Sequence, residues 1–169
     1  SSLFRTMLEE SAQEYVALRD EVLFLKNYVD LQQHRHPGKF EFEIQIASDL
    51  DTAAVQVPAL LLQPLLENAI EHGLVPSTGR PGLLYLHFQR SDECLLVNIG
   101  DNGIGRTASA LQRERFRALG RRSRGLDLLR ERLRLLEAIR RRPHHLEIQD
   151  LYDPDGHPTG TQVTLWLPL

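Results

Sequence analysis

The chain has 169 residues, of which 41% are hydrophobic and 25% are charged, and its formal net charge is −3. This size and composition suit one globular domain with an additional segment, and no run of about 18 apolar residues is present that would span a membrane as a helix. The single cysteine, Cys94, excludes an internal disulfide bond and suits a reducing compartment.

The positive charge is concentrated in one stretch. Residues 111–142 contain twelve arginines and four acidic residues, so this stretch carries +8 and the remainder −11. Such a stretch is compatible with nucleic-acid binding. However, the leucines of residues 126–142 recur at helical spacing with arginines on the other face, and no aromatic side chains are interleaved there for base stacking. The pattern favours an amphipathic surface helix, and we expect no nucleic-acid partner.

The N-terminal part of the chain predicts a long helix followed by a strand. Apolar positions repeat at helical spacing and predict a helix over residues 3–35, which ends at His36-Pro37-Gly38. Residues 39–46 alternate strictly between apolar and polar side chains, which predicts a half-buried strand. The repeating helical positions are Leu18, Val22, Leu25, Val29 and Gln32.

Residues 58–72 predict a second helix, with Pro58 in its first turn and Gly73 as its C-cap. Pro64 lies inside this span and indicates either a kink or a later start. At about 100° per residue, Asn68 and His72 fall at the margin of the apolar face. Because an Asn lowers helix propensity relative to Ala, we expect a local hydrogen bond or a ligand to compensate for Asn68.

The remainder of the chain predicts two hairpins and one helix, and residues 106–124 lack apolar periodicity and predict a mobile loop. Antiparallel hairpins that follow a helix indicate an α+β two-layer sandwich. The predicted strands span residues 82–90, 93–100, 145–151 and 161–167, and the helix runs from Gly125 to about Arg140.

The sequence DNGIG, residues 101–105, follows directly after the second strand of the first hairpin. Asp-Asn-Gly alone is an ordinary turn. Gly103 and Gly105, however, lack a Cβ atom and would let a flat ligand approach the backbone closely. Asp101 could accept a hydrogen bond from an exocyclic amine, which would distinguish adenine from guanine.

Residues elsewhere in the chain add to this pattern, and together they predict a nucleotide-binding site. Asn68 offers an amide oxygen, and Mg²⁺ is typically held by a few protein oxygens together with substrate phosphates. The helix that begins at Gly125 would present free N–H groups to phosphate oxygens. The arginines before it are candidates to clamp phosphate, namely Arg121, Arg122 and Arg124.

The segments ENAIEHG (67–73), DNGIG (101–105), GLDLLRERLRLL (125–136) and GTQVTLWLP (160–168) resemble the N, G1, G2 and terminal-strand motifs of the GHKL ATPase superfamily. Together with LRDEVLFLKNYVDLQQHR (18–35) and VPALLLQPLLENAIEHG (57–73), they resemble the LytS/AlgZ-type sensor histidine kinases in particular. The resemblance covers nearly the whole chain.

The resemblance implies a mixed sheet of four or five strands that helices cover on one face, with ATP bound between a helix and a loop. It implies that Asn68 binds Mg²⁺ and that Asp101 contacts adenine. Glu67 and His72 are further catalytic candidates, and His72 either touches phosphate or merely ends its helix. The other residues assigned to the nucleotide are Gly103, Gly105, Arg121, Arg122, Arg124, Gly125, Leu126 and Thr161.

Two departures from the family pattern bear on the reaction. Hydrolytic members carry a water-activating carboxylate four residues before the Mg²⁺-binding Asn, where this chain has Pro64; its absence favours phosphoryl transfer over hydrolysis. The G2 motif reads Ser-Arg-Gly-Leu (123–126) instead of Gly-x-Gly-Leu, and Leu128 stands where an Asn is expected. This change favours an alternative, a nucleotide-sensing or degenerate regulatory module that acts through protein contacts.

The resemblance implies the ATP-binding catalytic domain of a two-component sensor histidine kinase. It would transfer the γ-phosphoryl group to a histidine upstream of this chain, and thence to a response regulator, with the LytTR type among the candidates. We expect a homodimer through upstream helices and a cytoplasmic domain of a protein anchored in the bacterial inner membrane. Residues 1–36 are assigned to the end of the dimerisation and phosphotransfer region, and residues 37–169 to the catalytic domain.

Overall fold

A five-stranded mixed sheet forms one layer of the molecule in the computed structural model, which describes Leu3, residues 14–117 and residues 125–169. Its strands are β2 Phe40–Ile46, β4 Gly82–Ser91, β5 Cys94–Asp101, β6 His145–Tyr152 and β7 Pro158–Pro168. Their spatial order is β2, β4, β5, β7 and β6; the β2–β4 pair is parallel and the other three neighbouring pairs are antiparallel. A separate two-stranded antiparallel sheet joins β1, Tyr15–Ala17, to β3, Gln56–Pro58.

The central strands form the sheet because apolar side chains alternate along them. Leu84, Leu86 and Phe88 of β4 are buried on one face, with the intervening residues more exposed. Leu95, Val97 and Ile99 continue that face on β5. Successive side chains of a strand point to opposite faces, so this pattern leaves one face for helices to cover. The expected α+β two-layer sandwich is confirmed, with five strands in the mixed sheet.

The helical layer contains α1, Leu18–Arg35; α2, Gln63–Asn68, which continues as a π-helical segment, Ala69–Leu74; α3, Arg106–Arg117; and α4, Gly125–Arg140. The predicted helical periodicity of the N-terminal segment is confirmed, since every repeating position from Leu18 to Gln32 is buried. None of the helices in the described residues is long and apolar enough to cross a membrane.

The N-terminal helix begins later than predicted. Residues 15–17 lie within the predicted span of 3–35 but form β1, because Tyr15, Val16 and Ala17 pair with β3. Ala17 has an extended backbone, and Leu18 is the first helical residue. The remaining predicted helical positions before residue 14 lie outside the described part of the chain, except for Leu3, which is helical.

The second helix also starts late, which confirms one of the two interpretations of Pro64. Pro58 ends β3 and is not in a helical first turn, whereas Pro64 occupies the first turn of α2. Gly73 was predicted as the C-cap, but it lies inside the π-helical segment. A proline is tolerated in a first turn because its missing N–H would have no partner within the helix there.

The prediction of a loop over residues 106–124 is wrong for residues 106–117, which form α3. This sequence has few apolar residues, but its alanine, leucine, glutamine, glutamate and arginine residues are good helix formers. Ser109 of α3 is buried, so the helix packs on the domain. Residues 118–124 lie outside the described residues.

Helix α1 and the sheet contribute to the same hydrophobic core. Leu18, Leu25 and Val29 are fully buried, and backbone hydrogen bonds join Leu18 N to Val55 O at 2.8 Å and Arg19 N to Thr52 O at 2.9 Å. The assignment of residues 1–36 to a region separate from residues 37–169 stays a prediction.

Truncation of Leu25 tests how much α1 contributes to the core. We expect Leu25→Ala to lower the free energy of unfolding by about 2–5 kcal/mol, because a fully buried leucine leaves a cavity. Leu23, in the same helix, is 58% exposed, and Leu23→Ala should change stability by no more than about 0.5 kcal/mol. Urea denaturation of both variants measures the difference, and equal losses would contradict the packing described.

Candidate functional site

A buried carboxylate lies at the end of the central strand β5. Asp101 is 4% exposed, and its Oδ1 accepts a hydrogen bond from the Gly103 backbone N–H at 2.9 Å. Burial raises the pKa of Asp101 to about 6, although the Gly103 N–H and the charge of Arg80 act in the opposite direction. Asp101 pairs with Thr161 of β7 on one side and with Leu84 of β4 on the other.

Two glycines allow the loop after β5 to press against the π-helical segment. A Cβ atom on Gly73 would lie 2.6 Å from Asp101 Oδ1, and a Cβ atom on Gly103 would lie 2.2 Å from the Gly73 carbonyl. Ile104 N donates to the Gly73 carbonyl at 3.1 Å, which holds the two segments together. Gly103 therefore allows a close approach of the protein backbone, and its predicted contact with a flat ligand stays a prediction.

The change from α- to π-helical hydrogen bonding occurs directly after Asn68. The Val75 N–H donates to the Ile70 carbonyl at 2.9 Å, a bond that spans five residues. Short π-helical segments within helices occur frequently at functional sites. Here Asn68 precedes the segment and His72 lies within it, and both residues line the same cavity.

This cavity lies between α2, α3, the start of α4 and the sheet, and its volume is about 60 Å³. Six of the predicted site residues line it, namely Asn68, His72, Asp101, Gly105, Leu126 and Thr161. Gly105 has φ +81°, a conformation that glycine adopts without strain. The structure thus brings together residues that are up to 93 positions apart in the sequence, from Asn68 to Thr161.

Other predicted residues are placed differently. Glu67 is exposed and does not line the cavity; burial first, and then the charge of Glu71, raise its pKa. Gly125 lies at the start of α4, where an added Cβ atom would be 3.8 Å from Pro64 Cβ. Arg121, Arg122 and Arg124 lie outside the described residues.

Two side chains that the sequence did not single out hold the DNGIG loop in place. Arg80 donates from Nη2 to the carbonyl oxygens of Asn102, Gly103 and Thr159. The Asn102 side chain accepts from Leu83 N at 2.7 Å and donates to the Pro81 carbonyl at 3.0 Å. Arg80 stands in a turn without periodicity, so no pattern signals its role. The Asp-Asn-Gly turn chemistry does signal Asn102.

Helix α3 contributes one wall of the cavity through Arg106 and Ser109. Arg106 forms a two-pronged ion pair with Asp150 of β6, with nitrogen–oxygen distances of 2.7 and 2.8 Å. Sites for small-molecule ligands usually enclose roughly 300–1,000 Å³, which is more than the volume of this cavity. A larger cleft of about 510 Å³ lies elsewhere, beside Tyr15 and Arg140, and none of the predicted site residues that the structure describes lines it.

The chain is similar in sequence to a known protein family and to several sensor histidine kinases. The family described as "Histidine kinase-, DNA gyrase B-, and HSP90-like ATPase" matches residues 54–169, which confirms the resemblance to the GHKL superfamily. The sensor histidine kinase BtsS of Escherichia coli K12 is 30% identical over 170 residues, which cover 99% of this chain and 26% of that protein. The sensor histidine kinase YesM of Bacillus subtilis 168 is 28% identical over 156 residues, or 92% of this chain and 24% of YesM.

The sensor protein LytS of Bacillus subtilis 168 is 31% identical over 105 residues, or 62% of this chain and 17% of LytS. The chain therefore spans between 17% and 26% of the length of these relatives. Among solved structures, the mycobacterial sensor histidine kinase MprB has a TM-score of 0.59 at 20% identity, with 92% of this chain and 96% of that chain covered. The Acinetobacter baumannii histidine kinase AdeS has a TM-score of 0.61 at 16% identity, with 98% and 74% covered.

The buried carboxylate predicts a specific dependence of stability on pH. The pKa of Asp101 rises from 3.8 in the unfolded chain to about 6 in the folded state, so the folded state favours the protonated form. Its stabilising contribution is complete below pH 3.8 and is lost as the pH rises through 6, which amounts to about 3 kcal/mol for a shift of this size.

Denaturation at a series of pH values measures this contribution, and Asp101→Asn is the control because it cannot titrate. Between about pH 4 and pH 8, the wild type should lose about 3 kcal/mol of unfolding free energy relative to Asp101→Asn. Parallel pH profiles for the two proteins would show that Asp101 titrates normally.

Proposed function

The chain belongs to the family of histidine kinase-, DNA gyrase B- and HSP90-like ATPases, and from that premise we propose that its cavity binds ATP with Mg²⁺ and supports phosphoryl transfer to a histidine. The observation that carries the proposal is the buried carboxylate of Asp101 in a cavity that Asn68 and His72 also line. An acidic group, an amide and an imidazole thus line one cavity, together with Leu126 in the first turn of α4.

Asp101 has the chemistry to recognise adenine. Among the described residues, the Gly103 N–H is the group that donates to its carboxylate, at Oδ1. A carboxylate can accept several hydrogen bonds, so capacity remains for the exocyclic amine of adenine. Guanine carries a carbonyl oxygen at the corresponding ring position and would meet another acceptor. Asp101 would therefore select adenine nucleotides over guanine nucleotides.

The phosphate end of the nucleotide would lie toward α2 and the start of α4. Asn68 would supply an amide oxygen to Mg²⁺, a ligand type that this ion accepts, and His72 would contact a phosphate oxygen. Gly125 and Leu126 stand at the N-terminus of α4, where backbone N–H groups favour anions. Bound Mg²⁺ neutralises charge on the phosphate oxygens. Arg121, Arg122 and Arg124 remain candidates for the same task.

The set of acidic groups favours transfer over hydrolysis. Asp101 is the carboxylate among the described lining residues, and it is hydrogen-bonded to Gly103 N. Glu67 is exposed and precedes Asn68 in the sequence. Any contribution of Glu67 to phosphoryl transfer would come from its charge near the cavity and not from direct contact inside it. Pro64 occupies the position of the water-activating carboxylate of hydrolytic relatives and has no ionisable group. Without a positioned base to activate water, a histidine side chain is the better acceptor.

The proposed acceptor histidine and partners concern the longer protein of which this chain would be the catalytic domain, here called the parent protein. We infer that the acceptor histidine lies on a segment outside these 169 residues and that the phosphoryl group passes on to a response regulator, with the LytTR type among the candidates. The parent protein would form a homodimer through helices that precede α1, and residues 1–36 would be the end of this dimerisation region. The catalytic domain would lie in the cytoplasm, and the parent protein would be anchored in the inner membrane. The sensor kinases among the relatives support this assignment.

One observation favours the second candidate, a regulatory module that binds nucleotide weakly and acts through protein contacts. Leu128, at the position where the family pattern has an Asn, is 42% exposed and does not line the cavity. It would therefore provide no polar contact to a bound nucleotide. The two candidates differ in Mg²⁺-dependent affinity for ATP, which the Asn68 experiment measures.

Replacement of Asn68 tests the metal role directly. We expect Asn68→Ala to bind ATP in EDTA as the wild type does, because Asp101 and the glycines remain. The gain in affinity on adding Mg²⁺ should largely vanish, because one of the few protein oxygens on the ion is lost. A fluorescent ATP analogue, titrated with Mg²⁺ and with EDTA, measures both quantities.

The matched control is Asn27→Ala, which removes an exposed asparagine from helix α1. Both substitutions raise helix propensity by up to roughly 0.7 kcal/mol, so a difference between them isolates the site. Equal Mg²⁺ enhancement in the wild type and Asn68→Ala would assign Asn68 a structural role. Failure of the wild type to bind ATP in any condition would favour the regulatory module.

The isolated chain should bind ATP without labelling itself. With γ-labelled ATP and Mg²⁺, we expect no phosphohistidine on the 169 residues, because none of the seven histidines lies in the family's acceptor motif. Gel autoradiography after acid and base treatment provides the measurement. A label that is lost in acid and stable in base would place the acceptor within this chain and contradict the proposal.

A further inference from the structure

The larger cleft, of about 510 Å³, lies at the other end of the central strands from Asp101. Pro168 lines the cleft and pairs with Cys94 at the start of β5, whereas Asp101 ends that strand. Among the described residues, none lines both this cleft and the cavity at Asp101. Its volume falls within the range of roughly 300–1,000 Å³ that small-molecule sites enclose. The cleft is therefore large enough for a ligand of its own.

Three arginines from separate parts of the chain line this cleft: Arg90 near the end of β4, Arg140 at the end of α4 and Arg142 just after it. Arg140 Cζ lies 4.0 Å from the centroid of the Tyr15 ring, and Arg90 Nε donates to the Asp92 carbonyl at 3.4 Å. Within the described part of the chain, neither of these two guanidinium groups forms an ion pair. Like charges repel one another, so three arginines around one cleft favour an anion between them.

The third guanidinium group is held at the edge of the cleft by the end of the chain. Arg142 Nη1 donates to the Leu169 carbonyl, and Nη2 lies 3.9 Å from Oε2 of Glu93. The Glu93 side chain is 91% exposed, and an ion pair at that distance in water is weak. A guanidinium group has five N–H donors. Arg142 is therefore fixed in position and keeps donors for a further anion.

The turn that carries two of these arginines has a strained backbone. Arg141 has φ +54°, a left-handed conformation that is uncommon for a residue other than glycine, and its N–H donates to the Glu137 carbonyl at 2.8 Å. Such conformations cluster at functional sites. Arg141 does not line the cleft, but Arg140 and Arg142 on either side of it do. His144 also lines the cleft, and its Nδ1 donates to the Arg142 carbonyl at 2.9 Å.

Two carboxylates line the cleft as well, so the arginines outnumber them by one. One of the two is engaged by its own turn, because Asp51 Oδ1 accepts from Ala53 N at 3.0 Å and from Ala54 N at 3.3 Å. The other, Asp49, is exposed. Within the described residues, neither carboxylate forms an ion pair with an arginine of the cleft. The positive charges are therefore not neutralised from inside the cleft.

Apolar groups complete the lining beside the Tyr15 ring, namely Leu50, Val55 and Pro168. A ligand with an apolar body would remove these walls from water, which an inorganic anion could not do. Guanidinium groups bind carboxylate and phosphate oxygens through charge-assisted hydrogen bonds. The lining thus combines an apolar wall with charged donors, as small-molecule sites commonly do.

We propose that this cleft binds a small organic anion: a carboxylate or phosphate group would contact Arg90, Arg140 and Arg142, and an apolar or aromatic body would contact the apolar wall. The proposal goes beyond the nucleotide function and does not depend on it, because the two sites share no described lining residue.

An NMR titration of the isotope-labelled chain tests the proposal with four probes: phenyl phosphate, benzoate, inorganic phosphate and phenol. We expect at least one of the two organic anions to shift the amide signals of residues 49–56 and 140–144 saturably, with a dissociation constant on the order of 1 mM. Whichever of the two binds more tightly identifies the preferred oxyanion. Inorganic phosphate lacks the body and phenol lacks the charge, so both should bind about tenfold more weakly.

Three results of this titration would overturn the proposal. The first is that neither organic anion gives saturable shifts in these segments. The second is that phenol or inorganic phosphate binds as tightly as the better organic anion. The third is that the shifts fall in residues 68–74 and 101–105 instead, which would mean that the probe enters the nucleotide cavity. Failure of the chain to bind ATP would overturn the proposed function and leave this titration unaffected.

Substitutions assign the binding to the arginines. Arg90→Gln and Arg140→Gln should each weaken binding of the better organic anion by about fivefold, because one charge-assisted contact is lost. The matched control is Arg130→Gln, which removes the same charge from an exposed position of α4 that does not line the cleft, and it should change the affinity less than about twofold. Equal losses in all three variants would show attraction by net charge alone and overturn the proposal.

Discussion

The close approach of two backbone segments, at Gly73 and Gly103, determines the rest of the site. Their contact presses the loop after β5 against the π-helical segment so tightly that a methyl group on either glycine would overlap its neighbour. It also removes water from Asp101, whose charge is then balanced by one backbone N–H and the more distant Arg80. The steric constraint buries Asp101, and burial raises the pKa of its carboxyl group. Asp101 in turn contributes a polar group to the lining of the cavity.

Much of this arrangement could be predicted from the sequence. Alternating apolar residues identified the five main strands, along which side-chain exposure alternates. Helical spacing identified the buried face of α1 and the extent of α4. The motif residues Asn68, His72 and Asp101 do meet at one cavity. The strand and helix predictions succeeded because local patterning and tertiary packing act in the same direction there, whereas the roles of the three motif residues stay predictions.

Where local patterning and tertiary packing act in different directions, the structure could not be predicted from the sequence. Residues 15–17 have a helical pattern but pair with β3, and α3 has too few apolar residues to signal a helix although Ser109 is buried. Gly73 looked like a helix end, but the π-helical segment continues past it to Leu74. Arg80 and Glu21 bind backbone groups at a distance in sequence, which leaves no local periodicity to detect.

The π-helical segment makes this part of the protein intolerant of changes in length. Removing one residue between Ala69 and Leu74 would restore ordinary helical bonding, but it would rotate everything after the deletion by about 100° and shift it by about 1.5 Å along the axis. Gly73 would then no longer face Asp101, and a residue with a side chain would take its place. Substitutions in this segment alter single contacts, whereas a deletion would change which helix residues face the sheet. Homologous chains are therefore expected to vary in composition at this segment but to conserve its number of residues.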